Sequence, residues 1–306
     1  MRIGIMLPDR AASIGAIVDS IVDVETDGFD AAWFGQVFGS DVMTVIAMAG
    51  ARTSRIEIGT SVVPTYTRHP WVMAQQALTV GAATQGRFTL GIGLSHAPVV
   101  EGMWGLSYEK PARHMREYLS VLQPLLTEGR VAFSGDVFKT AGSLAVPGAP
   151  KVPVLVAALA PRMLKIAGEL TDGTVTWMTG PKTIATHIVP KLTAAATDAG
   201  RAAPRIAAGL PIAVTDDLAA AKERAAQAFV VYGQLPNYRR VLDKEGAAGP
   251  ADVAILGDEA AVERQLREFA SAGATDLFGA AFPVGDDAKA SLARTRALLK
   301  SLVGKI

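Results

Sequence analysis

Histidine is the residue type in this chain best suited to acid–base chemistry, and the chain contains four. His96 ends the run GLSH at 93–96, directly after an apolar, strand-like segment. Because an imidazole titrates close to neutral pH, it can donate a hydrogen bond or transfer a proton there. We therefore predict that His96 is catalytic. We expect structural or loop roles for His69, His114 and His187, with His114 on a solvated helix face.

Ser95 lies in the same run, within a near match to the GxSxG turn that exposes a nucleophilic serine between a strand and a helix. Pro98 and Gly102 weaken the helix that should follow this turn. A serine hydrolase centred on Ser95 is therefore a remote alternative.

Composition excludes several other kinds of chemistry. The 306 residues include no cysteine, so disulfides, thiolate metal sites and a cysteine nucleophile are excluded. Neither an HExxH motif nor the paired acids of a glycosidase follow the apolar segments. The net charge of +1, without a basic stretch, gives nucleic-acid binding little support. We expect no metal site, and chemistry that is carried by an organic cofactor.

The expected setting is the cytoplasm. No apolar run reaches the ~18 residues of a membrane-spanning helix. The first ten residues, MRIGIMLPDR, lack the apolar core of a signal peptide. The expected partner is a small-molecule substrate, with no membrane and no nucleic acid.

Two short turns of small residues could bind a phosphate group. Each is expected to follow a strand and to begin a helix, whose free N–H groups attract anions. The first turn consists of Ala158, Leu159, Ala160, Pro161 and Arg162, and the second of Thr179, Gly180 and Pro181.

These candidate residues need strands and helices to position them. Apolar, β-branched segments alternate with segments of helical period from end to end. The predicted strands are residues 2–7, 31–34, 56–63, 87–92, 152–158, 174–177, 205–214 and 275–281. Eight parallel strands with intervening helices predict an α/β fold, the TIM (β/α)8 barrel, with chemistry at the C-terminal strand ends. The alternative is a doubly wound open sheet, but its Gly-rich first turn is missing after Leu7.

We predict a single barrel domain over residues 1–306 with an insertion after strand 4. The insertion, at residues 128–150, is rich in Gly and Pro and has a possible hairpin at 131–138. A variable loop region at 232–252 is expected to help shape the pocket.

Several blocks of sequence stand out by their order and spacing. They read IGTSVVP at 58–64, RHP at 68–70, QGRFTLGIG at 85–93, AALAPR at 157–162, AGE at 167–169 and DG at 172–173. In this order they resemble the bacterial luciferase-like monooxygenases over essentially the whole chain. TWMTGP at 176–181 and PNYR at 236–239 are most similar to the actinobacterial members that use the deazaflavin coenzyme F420.

The resemblance implies a TIM barrel that holds a flat tricyclic ring at its mouth, where hydride passes at C5 of the ring. It also implies a cis peptide between Ser61 and Val62, whose bulge supports the ring. The cofactor's phosphate is implied at the two small-residue turns. Besides those turns, the implied cofactor-binding residues are Pro8, Gly35, Thr60, Ser61, Val62, Gly93 and Ser95.

Gln36 marks a departure from the family's pattern. The F420-dependent sugar-phosphate dehydrogenases that the chain resembles end strand two with a catalytic histidine, where this chain has Gln36. An amide cannot act as a general base, so Gln36 is expected to hydrogen-bond the ring or the substrate. The same alignment places His96 at a proton-handling position after strand four. Reduction of an activated C=C or C=N bond, or an oxygenation, therefore fits better than sugar-phosphate oxidation.

Two further alternatives keep the same fold. One is an FMN-dependent monooxygenase that uses oxygen, and the other is a cofactor-binding protein without catalysis. The resemblance also implies a homodimer.

Overall fold

Eight parallel strands close into a barrel in the computed structural model, which describes residues 1–9, 11–36 and 38–306. The strands in chain order are β1 (Arg2–Leu7), β2 (Ala31–Phe34), β3 (Glu57–Thr60), β4 (Val63–Pro64), β5 (Phe88–Gly93), β6 (Arg130–Ser134), β7 (Lys139–Ser143), β8 (Val154–Ala157), β9 (Gly173–Trp177), β10 (Arg205–Val214), β11 (Ile255–Gly257) and β12 (Asp276–Ala281). Around the barrel the order is β1-β2-β3-β5-β8-β9-β10-β12, and β12 pairs with β1. β11 pairs with the end of β10 outside the closed ring.

Helices cover the outside of the barrel. They are α1 (Ile14–Thr26), α2 (Val42–Gly50), α3 (Pro70–Ala83), α4 (Ala97–Gly102), α5 (Pro111–Thr127), α6 (Pro161–Leu170), α7 (Pro181–Thr183), α8 (Val189–Asp198), α9 (Leu218–Ala228), α10 (Val230–Gln234), α11 (Pro236–Glu245), α12 (Glu259–Ser271) and α13 (Ala288–Leu302). Their apolar faces pack on outward-facing strand residues such as Ile3, Ile58 and Ile92. Within the described ranges, no helix has the length and apolarity that a membrane crossing requires.

The predicted (β/α)8 barrel is confirmed, and the doubly wound open sheet is wrong because β12 closes the ring onto β1. The segment predicted as one strand at 56–63 is divided into β3 and β4. The division falls at Ser61 and Val62, whose peptide bond is cis, as the resemblance implies.

Two segments differ in detail from the sequence prediction. The hairpin after α5 comprises β6 and β7, which pair antiparallel and extend beyond the predicted 131–138. Much of the region 232–252, predicted as a variable loop, is helical in α10 and α11. Pro236 occupies the first turn of α11, a position that proline tolerates.

Two aromatic rings fill the middle of the barrel. Trp33 of β2 stacks on Phe278 of β12, with ring centroids 5.2 Å apart. Neighbouring strands carry glycine at this level because a Cβ on Gly59 would lie 2.6 Å from the Trp33 ring. A Cβ on Gly209 would lie 2.2 Å from the Phe278 ring. The barrel interior is therefore packed at this level.

Charged side chains close the N-terminal end of the barrel. Arg205 Nη2 lies 2.9 Å from Glu57 Oε1 and 2.7 Å from Asp276 Oδ1. Arg2 pairs with the same two carboxylates, and Thr89 donates a hydrogen bond to Glu57. Because Asp276 is only 3% exposed, its charge depends on these partners for compensation.

Replacing Arg205 by methionine should therefore lower the free energy of unfolding by about 2–4 kcal/mol. The reason is that the carboxylates of Glu57 and Asp276 each lose one of their ion-pair partners. The control is Arg52→Met, which removes an ion pair to Asp19 whose side chains are 51% and 60% exposed. That control should cost less than about 1 kcal/mol. Urea denaturation measures both values, and equal losses would contradict the structural role of the cluster.

Candidate active site

A cavity of about 950 Å³ opens at the C-terminal ends of the strands. This is the end of a (β/α)8 barrel that carries its chemistry. A second cavity of about 160 Å³ adjoins it toward β8 and β9 and is lined by Ala157, Leu159 and Thr176 among others. The residues that line both cavities are Ser61, Val62, Ser95, His96, Tyr108, Trp177, Asn237 and Tyr238.

The bulge at Ser61 and Val62 forms a wall common to both cavities. It has room only because β5 carries glycine beside it. A Cβ on Gly93 would lie 2.5 Å from Val62 Cγ2, and a Cβ on Gly91 would lie 1.9 Å from the carbonyl oxygen of Thr60. Backbone bonds hold the bulge to the end of β2, since Gln36 N–H donates to the carbonyl of Val62. The predicted residues Gly35, Ser61, Val62 and Gly93 therefore meet at one place.

Gln36 lines the large cavity, and a cation behind it fixes its amide. With the amide oriented so that its oxygen faces Arg68, Oε1 accepts hydrogen bonds of 3.0 and 3.2 Å from the two terminal nitrogens. Arg68 also pairs with Asp41 at 2.7 Å, so its charge is already compensated. The orientation leaves the Gln36 NH2 group as a hydrogen-bond donor.

His96 lies at the mouth of the barrel, as predicted, and lines both cavities. Ser95 before it has φ +57, in the left-handed region, and its carbonyl accepts a hydrogen bond from the Tyr108 hydroxyl. The His96 ring lies 5.6 Å from the Tyr238 ring, centroid to centroid. Burial lowers the pKa of His96 below its usual value, so the ring is neutral at pH 7.

The two small-residue turns differ in whether their amides are available. At the first turn, Ala160 precedes α6 without a side-chain cap, and Leu159 and Ala160 line the smaller cavity. His187 Nε2 donates to the carbonyl of Leu159 at 2.8 Å and so holds this turn in place. Arg162 is exposed on the first turn of α6. This helix end could accept an anion.

At the second turn the helix amides already have an acceptor. The Glu245 carboxylate accepts from the N–H groups of Lys182 and Thr183 at 3.1 and 2.7 Å. Thr179 Oγ1 donates to the carbonyl of Trp177. Thr179, Gly180 and Pro181 are not among the residues that line either cavity.

The remaining predicted site residues also lie away from the cavities. Thr60 is buried and exchanges two hydrogen bonds of 2.8 Å with Gly91, which ties β3 to β5. Ala158 is buried in the core between barrel and helices, and Pro8 is exposed after β1. Pro161 and Arg162 are exposed and are not among the residues that line either cavity.

The sequence analysis missed several residues that line the cavities. Tyr108, Asn237 and Tyr238 line both of them. The PNYR block at 236–239 contains two of these, but the sequence pattern gave no signal for Tyr108.

Two expectations for the other histidines have clear outcomes. His69 Nδ1 accepts from the N–H of Trp71 and caps α3, as expected of a cap or loop residue. The solvated position expected for His114 is wrong. Its ring is buried, stacks on Tyr66 with centroids 4.0 Å apart, and has its pKa lowered by burial to about 4.

Neither a metal-ligand cluster nor a serine–histidine pair is found among the described residues of the site. Within residues 1–9, 11–36 and 38–306, no group of three or more His, Asp or Glu side chains could hold a metal ion. In the same ranges no hydrogen bond links Ser95 Oγ to a histidine, and His187 is engaged with Leu159. Fold and site thus define a TIM-barrel enzyme with an apolar cavity beside a backbone bulge.

Comparison with known proteins identifies the family. The family model described as luciferase-like monooxygenase matches residues 1–302. An F420-dependent glucose-6-phosphate dehydrogenase of Nocardia farcinica is 32% identical over 219 residues. The match covers 66% of this chain and 65% of that protein. The chain belongs to the luciferase-like monooxygenase family and is an enzyme of that family.

Solved structures share the fold over their whole length. The coenzyme F420 dependent tetrahydromethanopterin reductase from Methanopyrus kandleri has a TM-score of 0.80 at 24% identity, covering 100% of this chain and 98% of that one. A type II Baeyer-Villiger monooxygenase of Pseudomonas putida in complex with FMN has a TM-score of 0.73 at 18% identity, with the same coverage.

Gly93→Ala tests the packing of the bulge directly. The new methyl group would overlap Val62, so the variant should lose about 1–3 kcal/mol of unfolding free energy. Gly102→Ala is the control, because a Cβ there meets nothing within 4 Å. Thermal denaturation compares the two, and a Gly93→Ala variant as stable as the control would show that the bulge does not need this glycine.

Proposed function

We propose that the protein is an F420-dependent oxidoreductase that transfers a hydride between C5 of the deazaflavin and a small organic substrate. The observation that carries this proposal is the bulge at Ser61 and Val62, which walls an apolar cavity at the barrel mouth. A relative that is 32% identical is named as an F420-dependent enzyme, which favours this cofactor.

The residues at the cavity fit a flat ring with a phosphate-bearing tail. Ser61 Oγ is buried beside the cavity without a hydrogen-bond partner, and a ring heteroatom would supply one. Gly35 lacks a side chain next to the bulge, where a Cβ would come within 3.3 Å of the Ser61 carbonyl oxygen. The uncapped N-terminus of α6, with Arg162 beside it, is suited to the phosphate.

The bound deazaflavin would supply the carbon that gives or receives the hydride. The chain's own residues then orient the reactants and exclude water. Gln36, whose amide oxygen is hydrogen-bonded to Arg68, offers its NH2 group as a donor at the cavity that it lines. The neutral His96 ring can hydrogen-bond a polar atom of the substrate and exchange a proton with it.

FMN is the second candidate cofactor, because a Baeyer-Villiger monooxygenase of the same fold is in complex with it. Fluorescence titration of the purified protein with F420, and separately with FMN, distinguishes the two. Micromolar or tighter binding of F420 with weak binding of FMN is expected. Preference for FMN, with oxygen consumption during turnover, would replace the proposal with a monooxygenase, and binding of neither would overturn both.

Arg162→Ala should weaken F420 binding about tenfold or more, since it removes a charge next to the uncapped amides of α6. Lys182→Ala is the matched control on the first turn of α7, where Glu245 already occupies the amides. Its affinity for F420 should stay unchanged. If Lys182→Ala weakens binding and Arg162→Ala does not, the phosphate lies at the second turn instead.

His96→Ala should lower kcat at least tenfold while the F420 dissociation constant stays within about twofold. Because burial lowers the pKa of His96, the neutral ring predominates at pH 7 and is lost only as the pH falls through that lowered pKa. The rate of the unmodified enzyme should therefore be flat near neutral pH and fall on the acid side, and this fall should be absent in the variant. An unchanged kcat would remove His96 from the mechanism.

A further inference from the structure

The described lining of the large cavity carries no charged side chain. Among the described residues that line it, none is Lys, Arg, Asp or Glu. The titratable side chains there are His96 and three tyrosines, Tyr108, Tyr232 and Tyr238. Burial lowers the pKa of His96 and raises the pKa values of the tyrosines, so all four are neutral at pH 7.

Two segments of the chain supply an apolar lining to this cavity. The segment after β5 contributes Pro98, Val99 and Trp104. The start of the α10–α11 region contributes Val231, Leu235 and Pro236, and Phe38 adds a further ring. Val231 is 51% exposed although it is apolar, so a ligand between these segments would remove its side chain from water.

Polar groups are concentrated near the strand ends. Gln36, Ser61 and His96 are grouped there and offer hydrogen bonds without charge. The cation behind Gln36, Arg68, pairs with Asp41 and is not among the lining residues. A phosphate or carboxylate placed in this cavity would lose its hydration without gaining a counter-ion from the described lining.

The volume of the cavity leaves room for more than a ring. At about 950 Å³ it lies at the upper end of the range of about 300–1,000 Å³ that is usual for ligand sites. A tricyclic ring against the Ser61–Val62 bulge would leave the space bounded by Phe38, Trp104 and Val231 for a second organic molecule.

We infer that the substrate is an uncharged, predominantly apolar molecule, a ring system or an alkyl chain, that presents one hydrogen-bond acceptor to Gln36 and His96. This inference rests on the proposed function, because it assigns the substrate class of the same site. A sugar phosphate fits this site less well, because the described lining offers no cation for its phosphate group.

The first test introduces a charge on the apolar lining. Val231→Asp places a carboxylate on the cavity, and the matched control Val230→Asp changes the adjacent residue, which is 54% exposed and is not among those lining the cavity. The probe is the neutral fluorescent dye Nile red, titrated in the presence of saturating F420. Val231→Asp should weaken dye binding at least tenfold and Val230→Asp less than twofold. Equal effects of the two variants would overturn the inference.

The second test compares two competitors with one carbon skeleton, a naphthoic acid methyl ester and the corresponding naphthoate. The ester should displace the dye at a concentration at least tenfold lower than the carboxylate. A carboxylate that competes as well as the ester would overturn the inference even if F420 binds and the proposed function stands. If F420 does not bind, the proposed function fails, while selective displacement by the ester in the F420-free protein would still support a neutral apolar ligand.

Discussion

The close packing of the Ser61–Val62 bulge on Gly93 is the constraint on which the site depends. Val62 occupies the volume that a side chain on β5 would otherwise fill, and a single Cβ at Gly93 would come within 2.5 Å of it. The bulge falls where the third strand is interrupted, between the end of β3 at Thr60 and the start of β4 at Val63. The wall shared by both cavities is the result.

Below that level, aromatic rings and charged side chains occupy the barrel interior. The Trp33–Phe278 stack occupies the centre, with Gly59 and Gly209 leaving room for the rings. Arg205 and its carboxylate partners close the opposite end. The two cavities lie at the C-terminal end of the barrel, the end that carries the chemistry in (β/α)8 enzymes.

The two helix N-termini that follow β8 and β9 show how one sequence pattern can have two different outcomes. Both turns contain small residues followed by proline, and the sequence predicts a phosphate site at each. At α7 the side chain of Glu245, far away in sequence, accepts the amide hydrogens. At α6 the helix end has no side-chain cap. A distant carboxylate is therefore what distinguishes them, and no local pattern encodes it.

The sequence by itself determined the barrel, because alternating apolar strands and helical periods are local patterns. The blocks that resemble the family, together with the position of His96 after a strand, also predicted Gly35, Ser61, Val62, Gly93, Ser95 and His96 at one site, and these residues line the cavities at the barrel mouth. Only the tertiary structure decided the burial of His114, the partners of Gln36, and the place of Tyr108 and Tyr238 on the cavity. These depend on contacts between segments far apart in the chain, such as Gln36 with Arg68 and His96 with Tyr238. Such contacts leave no periodic signal in the residues that make them.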